Sequence, residues 1–389
     1  MDNFRYCSPT TVYFGKGQIE SLSREIINRG FRNVLIVTGK ASAKKYTAFK
    51  DVVSQINKTG IRYSELSGIR PNPRIKTVYE GIRICRRDNI DLVLGVGGGS
   101  VIDASKTIAA GAVYDGDCWD FFDKLALPQK TLPTGCVLTL AATGTETNGN
   151  AVITHEERQK KLALCADILR PVFAILDPVY TFTVDEFNTA AGIVDIMAHV
   201  FEQYFSRTPA CDVQDRLCEG ILNVCIKYAP VVIKEKQNYD ARANIMWAGT
   251  LALNGLLGAG RITDWSSHGI EHEISAVYDI SHGAGLSVIV PNWMRHVLSK
   301  ETACRFADYG RNIWSAETRN SLPEIANYAI DRTREFFNSL GMPSNLRQMG
   351  IDERGLEEMA KNIAGRNAHL GSFVPLDQDD ILSILKTSL

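Results

Sequence analysis

The fold class this chain predicts is a parallel α/β half followed by an all-α half. Three observations carry it. Up to about residue 183, short apolar runs ending at glycine or threonine alternate with amphipathic stretches. Past that point almost nothing reads as a strand, and one helical pattern follows another. The chain has 389 residues, and at ~100–200 residues per domain that length suggests two or three domains.

The strand signals come first. Val34-Leu35-Ile36-Val37 ends at Thr38-Gly39, and Asp91-Leu92-Val93-Leu94-Gly95-Val96 ends in glycines. Gly135-Cys136-Val137-Leu138 and Val172-Phe173-Ala174-Ile175-Leu176 are two more, and Asp177-Pro178 closes the last. Such runs read as strands buried on both faces. Between them, Ser54 to Lys58 with its upstream turns and Val78 to Arg87 read as helices. Alternation of this kind implies right-handed crossovers and a parallel sheet covered on both faces.

From Val184 the pattern predicts helices over Asp185–Ser206, Asp212–Tyr228, Ala241–Leu257, Ser266–Tyr278, Gly283–Leu298, Pro323–Leu340 and Glu353–Ile363. Gly and Pro punctuate them, as in Leu340-Gly341-Met342-Pro343. No internal repeat is visible. Two domains are expected, 1–183 and 184–389, with the active site in the cleft between them.

Composition narrows the function. Hydrophobic residues make up 45% and charged residues 22%, so a disordered or low-complexity scaffold is excluded. Lys+Arg number 43 against 44 Asp+Glu, which argues against a nucleic-acid binder. No apolar run approaches the ~18–20 residues of a membrane span. The start, Met1-Asp2-Asn3-Phe4-Arg5-Tyr6-Cys7, has no apolar core of a signal peptide. A cytoplasmic protein is expected. Its nine cysteines include no CxxC pair, so neither a zinc ribbon nor a thioredoxin-like motif is indicated. Cys211, Cys218 and Cys225 are seven apart and read as small apolar residues on one buried helical stripe.

Gly95-Val96-Gly97-Gly98-Gly99-Ser100 follows a strand and opens a helix near Val101. Glycines let backbone N–H groups approach an anion, and the helix N-terminus adds its dipole. Ser100 is placed to cap that helix, with Asp103 at capping-box spacing. The pattern is neither GxGxxG nor a P-loop. Phosphate binding and a turn needed only for tight packing both stay open.

A second polar loop, Thr139-Leu140-Ala141-Ala142-Thr143-Gly144-Thr145-Glu146-Thr147-Asn148, follows the next strand. Ligands of open α/β sheets bind at strand carboxyl ends. Two such loops together with Thr38-Gly39-Lys40 favour a dinucleotide over a mononucleotide; ordinary turn chemistry is the competing reading of each hydroxyl cluster.

Seven histidines occur, and four in the helical half fall within 84 positions: His199, His268, His272 and His282. Asp195 and His199 are four apart, on one helical face in a mostly apolar stretch. A carboxylate there is costly unless neutralised, and a metal would neutralise it. His268 and His272 are also four apart, and His282 follows. One carboxylate with several imidazoles suits Fe(II) or Zn(II). Hydrogen-bonded structural roles are the alternative for each. His155, His296 and His369 lack such a context and take the structural role.

In these motifs the sequence resembles the iron-containing (group III) alcohol dehydrogenase family, and within it the NADPH-dependent butanol dehydrogenase and aldehyde reductase branch. The likeness runs nearly end to end. It includes Pro9-Thr10, Phe14-Gly15-Lys16-Gly17, Pro71-Asn72-Pro73, Gly97-Gly98-Gly99-Ser100 with Asp103, and Thr143-Gly144-Thr145-Glu146. It continues through Leu176-Asp177-Pro178, Asp195 with His199, and His268 through His282.

The resemblance implies a Rossmann-like N-terminal domain, a helical metal-binding C-terminal domain of dehydroquinate synthase-like architecture, and a homodimer. It assigns Asp195, His199, His268 and His282 as metal ligands, with Fe(II) as the leading metal and Zn(II) as the other. His272 matches a nearby non-ligand histidine given a proton-relay role. Thr139, Leu140, Asn148, Lys161 and Tyr180 fall where the family contacts the nicotinamide half of the coenzyme. Asn72, Gly97, Gly98, Gly99, Ser100, Asp103 and Thr143 complete the expected coenzyme residues.

Coenzyme choice is read from the segment after the first core strand. NAD enzymes place an acidic residue there to bind the adenosine ribose. Here the segment is Thr38-Gly39-Lys40-Ala41-Ser42, with no Asp or Glu before Asp51. Gly39, Lys40 and Ser42 would instead receive a 2′-phosphate, so NADP(H) is expected. A merely solvated Lys40 is the competing reading.

The expected reaction is hydride transfer between NADP(H) and a short-chain primary alcohol/aldehyde pair such as butanol/butanal. A polyol dehydrogenase of the glycerol or propanediol type, or a dehydroquinate-synthase-like lyase, would need a more polar pocket than Leu256-Leu257-Gly258-Ala259-Gly260 with Trp265 suggests. A silent metal-and-nucleotide-binding module is the rival from another class. The intact ligand set counts against it.

Overall fold

A computed structural model describes residues 1–40, 47–317, 319–366 and 369–389. The chain forms two compact units: Cys7–Val184 with Lys236–Asn254, and Met1–Tyr6 with Asp185–Glu235 and Gly255–Leu389. The expected boundary at 183 falls beside the junction at Val184/Asp185. Lys236–Asn254, however, packs with the first unit, and Met1–Tyr6 with the second.

The first unit is the α/β one. It contains β1 (Thr11–Phe14), α1 (Ser21–Arg29), β2 (Asn33–Thr38), α2 (Thr47–Thr59), β3 (Arg62–Leu66), α3 (Ile75–Arg87), β4 (Leu92–Gly97), α4 (Gly99–Ala112), β5 (Thr134–Leu138), β6 (Asn150–His155), β7 (Lys160–Cys165) and β8 (Phe173–Leu176). Six strands form one sheet in the order β1-β8-β5-β4-β2-β3, with every pair parallel. β6 and β7 form a separate antiparallel hairpin.

Alternation along β2 explains the covering. Val34 and Ile36 point to the face packed by Leu22 and Ile26 of α1 and by Val52 and Ile56 of α2. Leu35 and Val37 point to the face packed by Val78 and Ile82 of α3 and by Val101 and Ile108 of α4. Both faces are dry, which is why the central strands read as continuous apolar runs.

The second unit begins at α5 (Glu186–Tyr204) and continues with α6 (Asp212–Lys234). The chain then returns to the first unit for α7 (Tyr239–Ala252), whose Met246 packs on Leu138 and Leu176 of the sheet. The second unit resumes with α8 (Ser266–Tyr278), α9 (His282–Val297), α10 (Ala303–Trp314), α11 (Leu322–Ser339), α12 (Leu356–Ala364) and α13 (Gln378–Thr387). The helix expected over Ala241–Leu257 stops at Ala252, where a run of turns begins. The cysteine stripe holds, with Cys211, Cys218 and Cys225 all buried. Among the described residues, no helix is long and apolar enough to cross a membrane.

Candidate functional site

Three helices of the second unit build a histidine–carboxylate cluster. α5 is capped by the Asp185 carboxylate, which accepts a bond from Asn188 N. Along it Asp195, His199 and Glu202 are four and three residues apart, so they share one face, and all three are buried. The N-cap of α8 is Trp265, whose φ of 73° is in the left-handed region. That conformation is unfavourable for a tryptophan. It is held by Trp265 N donating to Glu202 Oε2 at 2.9 Å, and it aims the first turn, with His268, back at α5.

α9 starts with His282-Gly283. A Cβ on Gly283 would lie 2.0 Å from the carbonyl oxygen of Ala191. Only glycine lets α9 close on α5 so tightly, and that approach brings His282 to Asp195.

Asp195 Oδ1 lies 3.5 Å from His282 Nε2, 3.8 Å from His268 Nε2 and 3.6 Å from His199 Nδ1. Asp195, His268 and His282 converge closely enough to share one ion. His199 stands at the edge of that group, its ring stacked on His268 at 4.7 Å. His272 is half-buried, with its ring 5.3 Å from that of His282.

Two carboxylates that did not stand out in the sequence orient the rings. Glu202 Oε1 meets His268 Nδ1 at 2.9 Å and also accepts from Ser267 Oγ and His268 N. Glu271, fully buried, binds His282 Nδ1 and accepts from Ser275 Oγ. Each carboxylate takes the Nδ1 side and turns Nε2 towards Asp195, the arrangement in which outer carboxylates fix ligating histidines. The signal for Glu202 was its place seven residues after Asp195, continuing the same face. Glu271 offered none beyond its neighbour His272.

The donor set fits a divalent cation. Asp195 Oδ1, His199 Nδ1 and His268 Nε2 are buried and have no hydrogen-bond partner. Orphaned polar atoms are costly, and one cation satisfies them together. Burial disfavours ionised Asp195, but the surrounding imidazoles outweigh it and hold the carboxyl below its usual range. Burial pushes His199 down to about 4, leaving a neutral imidazole. His268 is disfavoured as a cation by burial, yet Asp195 and Glu202 prevail and raise it to about 9. A metal there competes with that proton.

In the α/β unit, β5, β4 and β2 are adjacent, and Gly97 pairs with Leu138 while Thr38 pairs with Val96. Gly39, Gly98–Ser100 and Thr139–Leu140 therefore leave neighbouring strands at one end of the sheet. After β2 the chain goes out to the edge strand β3 and returns to β4. The crevice between β2 and β4 is thus a topological switch point, where such sheets take ligands.

A Cβ on Gly97 would strike Val101, on Gly98 would press Leu140, and on Gly99 would lie 2.5 Å from Thr143 Oγ1. The glycines are required by packing. They also leave a helix N-terminus without a side-chain cap at the strand end, which suits an anion. The capping expectation is corrected: α4 starts at Gly99, Gly98 is its N-cap, and Ser100 lies inside the first turn. Asp103 is not in a capping box either. It is buried, accepting from Thr145 Oγ1 at 2.5 Å and from Val152 N at 2.9 Å.

The other expected coenzyme residues are dispersed around that end of the sheet. Thr139 and Leu140 are half-buried at the tip of β5. Asn148 is engaged internally, its Oδ1 accepting from Asn150 N at 2.9 Å. Lys161 is buried on β7. Asn72 is buried with φ 53°, its carbonyl accepting from Arg74 Nη1. Tyr180 is buried and donates to Asp51 Oδ2 at 2.9 Å. Gly39 is half-buried and Lys40 exposed, while Ser42 lies outside the described residues.

Comparison with known proteins decides the family. The model of the iron-containing alcohol dehydrogenases matches residues 9–178, and that of the C-terminal part of the Fe-containing alcohol dehydrogenase family matches 189–389. This chain belongs to the iron-containing alcohol dehydrogenase family.

As a member it is an oxidoreductase of the alcohol dehydrogenase and aldehyde reductase class. The dehydrogenase is 48% identical to NADH-dependent butanol dehydrogenase A of Clostridium acetobutylicum over the full length of both. It is 38% identical to the NADPH-dependent aldehyde reductase YqhD of Escherichia coli over 93% of each chain. The crystal structure of NADH-dependent butanol dehydrogenase A from Thermotoga maritima superposes with a TM-score of 0.96 at 36% identity, covering 100% of this chain and 99% of that one. The Rossmann-like α/β domain with a helical C-terminal domain is therefore the fold.

Proposed function

We propose that this dehydrogenase transfers a hydride between NADP(H) and a short-chain primary alcohol/aldehyde pair such as butanol/butanal, with an iron(II) or zinc(II) ion held by Asp195, His199, His268 and His282. The observation that carries the reading is the set of buried, unpartnered donor atoms around Asp195. When bound, the cation supplies Lewis-acid polarisation of the substrate oxygen and the coenzyme supplies the hydride. The chain's own part is orientation. Glu202 and Glu271 hold two imidazoles by Nδ1, and His272 is assigned the proton-relay role on the family resemblance.

An aliphatic substrate is favoured by Trp265, whose ring lies 5.4 Å from that of His268 and brings apolar surface to the histidine cluster. Relatives named for butanol support the same class. A cytoplasmic homodimer is part of this reading, on the family resemblance.

Coenzyme preference rests on the segment after β2. The first acidic side chain beyond Thr38 is Asp51, and it is bonded to Tyr180. Lys40 brings positive charge instead. Relatives at 44–48% identity are named NADH-dependent, whereas relatives at 38% and 30% are named NADPH- and NADP-dependent, so names do not decide. The measurement is kcat/KM for NADPH over NADH with C2–C6 aldehydes and 1,3-propanediol as the polyol control. A ratio above one is expected, and one below it refutes the reading of this segment. Gly39→Asp is expected to shift the ratio towards NADH. The site accepts a Cβ, whose nearest neighbour would be Ile69 O at 3.7 Å, so the variant is expected to fold.

A further inference from the structure

Lys106 is a lysine with no exposed surface. It sits on α4, the helix that opens on the glycine turn. Its ammonium donates to Thr145 Oγ1 at 2.7 Å, to Asn148 O at 2.8 Å and to Asn150 O at 2.8 Å, with Asn148 Oδ1 at 3.2 Å. An ammonium has three protons and no acceptor, so these partners saturate it. All of them come from one short stretch, 145–150, which joins the polar loop after β5 to the start of β6.

Asp103 is one turn earlier on the same face of α4, and it grips the same stretch through Thr145 Oγ1 and Val152 N. Thr145 Oγ1 donates to Asp103 and accepts from Lys106. A buried charge is costly unless it is fully paired, and burial does pull this lysine down to about 8. A methionine would fill the same space without that cost. What a methionine would not do is bind two oxygens of Asn148 and the hydroxyl of Thr145, in a loop with no regular secondary structure, together with the carbonyl of Asn150 where β6 begins.

At the other end of α4 the same loop is in contact again, because Gly98 and Gly99 face Leu140 and Thr143 with no room for a Cβ. One helix therefore holds two neighbouring segments at the strand carboxyl ends: the glycine turn directly, and the 139–148 loop through an ionic anchor at its base. We propose that Lys106 is a positioning residue for coenzyme binding, fixing the 139–148 loop against the glycine turn at the geometry that receives the dinucleotide. This rests on the reading that these two segments hold the coenzyme.

The test is direct coenzyme binding, followed by quenching of protein fluorescence on titration with NADPH or NADH, whichever the unmutated enzyme binds more tightly. Lys106→Met is expected to raise the coenzyme Kd and KM roughly tenfold or more, since several buried acceptors lose their donor. Bound metal and the aldehyde KM should stay within about twofold, the split expected of a group that acts only on coenzyme binding. Thr145→Val, which removes one partner and keeps the shape, should raise the Kd about threefold in the same direction.

If Lys106→Met does not fold, Thr145→Val decides. A coenzyme Kd within about twofold of the unmutated value in the folded variants overturns the proposal. Ser100→Glu separates this from failure of the underlying reading, because it sets a negative charge in the first turn of α4, where coenzyme phosphate would lie. If Ser100→Glu weakens binding and the Lys106 and Thr145 variants do not, only the anchor is wrong. If Ser100→Glu leaves binding unchanged, the coenzyme site itself is misplaced and the anchor proposal falls with it.

Discussion

Glu202 accepts hydrogen bonds from one imidazole, one hydroxyl and two backbone amides, so the His268 ring cannot turn without disturbing the entry to α8. Ligand and orienting roles separate by experiment. His268→Ala is expected to purify folded, with little bound metal and little activity; full metal content would sink the ligand assignment. His272→Ala is expected to keep its metal and lose turnover, and metal loss as deep as in the first variant would make His272 a ligand instead. Glu202→Gln should lower metal affinity ~10–100-fold, since it replaces an acceptor by an amide that also donates.

The proton on His268 adds a pH signature. A ligating imidazole must be neutral. Without metal this one keeps its proton up to about 9, against about 6.5 for a free imidazole. Zinc affinity in chelator-buffered titrations should therefore rise with pH through that interval and level off above it. In Glu202→Gln the levelling should move to lower pH. A flat profile across the interval would contradict the assigned protonation.

On α6 the thiols of Cys218 and Cys225 are buried, and burial pushes both up to about 12, so they behave as apolar groups. Cys225→Ser is expected to destabilise the protein by ~1–3 kcal/mol in urea unfolding, the cost of burying a hydroxyl without a new partner; an unchanged midpoint would show a hidden acceptor beside it. The elements legible in the sequence were those buried on a regular period, such as β2, β4 and α8. The edge strands β1 and β3 escaped because the edge leaves them half-exposed, and Arg62-Tyr63-Ser64-Glu65-Leu66 has no apolar run at all. α10 hid its stripe behind Ala307 and Gly310. α13 was missed although Ile381, Ile384 and Leu385 mark its buried face.

The same logic holds at the site. Asp195 with His199 could be picked out because such residues are rare in an apolar helix. Glu202 carried only its spacing from Asp195 and Glu271 nothing of its own, because a single helical glutamate normally faces water, and only the fold shows what they touch.

At the scale of the whole molecule, the sheet is completed by a helix from much later in the chain. Met246 of α7 covers Leu138 and Leu176, Thr250 bonds Glu146, and Trp247 meets Phe14 edge-to-face at 5.6 Å. A fragment ending at residue 183 should therefore expose this apolar face. It is expected to bind a hydrophobic dye strongly and to aggregate, and addition of a peptide spanning 236–254 should reduce both. A monomeric, dye-silent fragment would show that the sheet does not need α7.

The late arrival of α7 also sets a schedule for biosynthesis. A ribosome adding ~5–20 residues per second takes several seconds to pass from the end of β8 to the end of α7. Throughout that interval the nascent sheet has all six strands and an uncovered face. Codon choice and chaperone capture across the α5–α6 stretch are then expected to bear on yield.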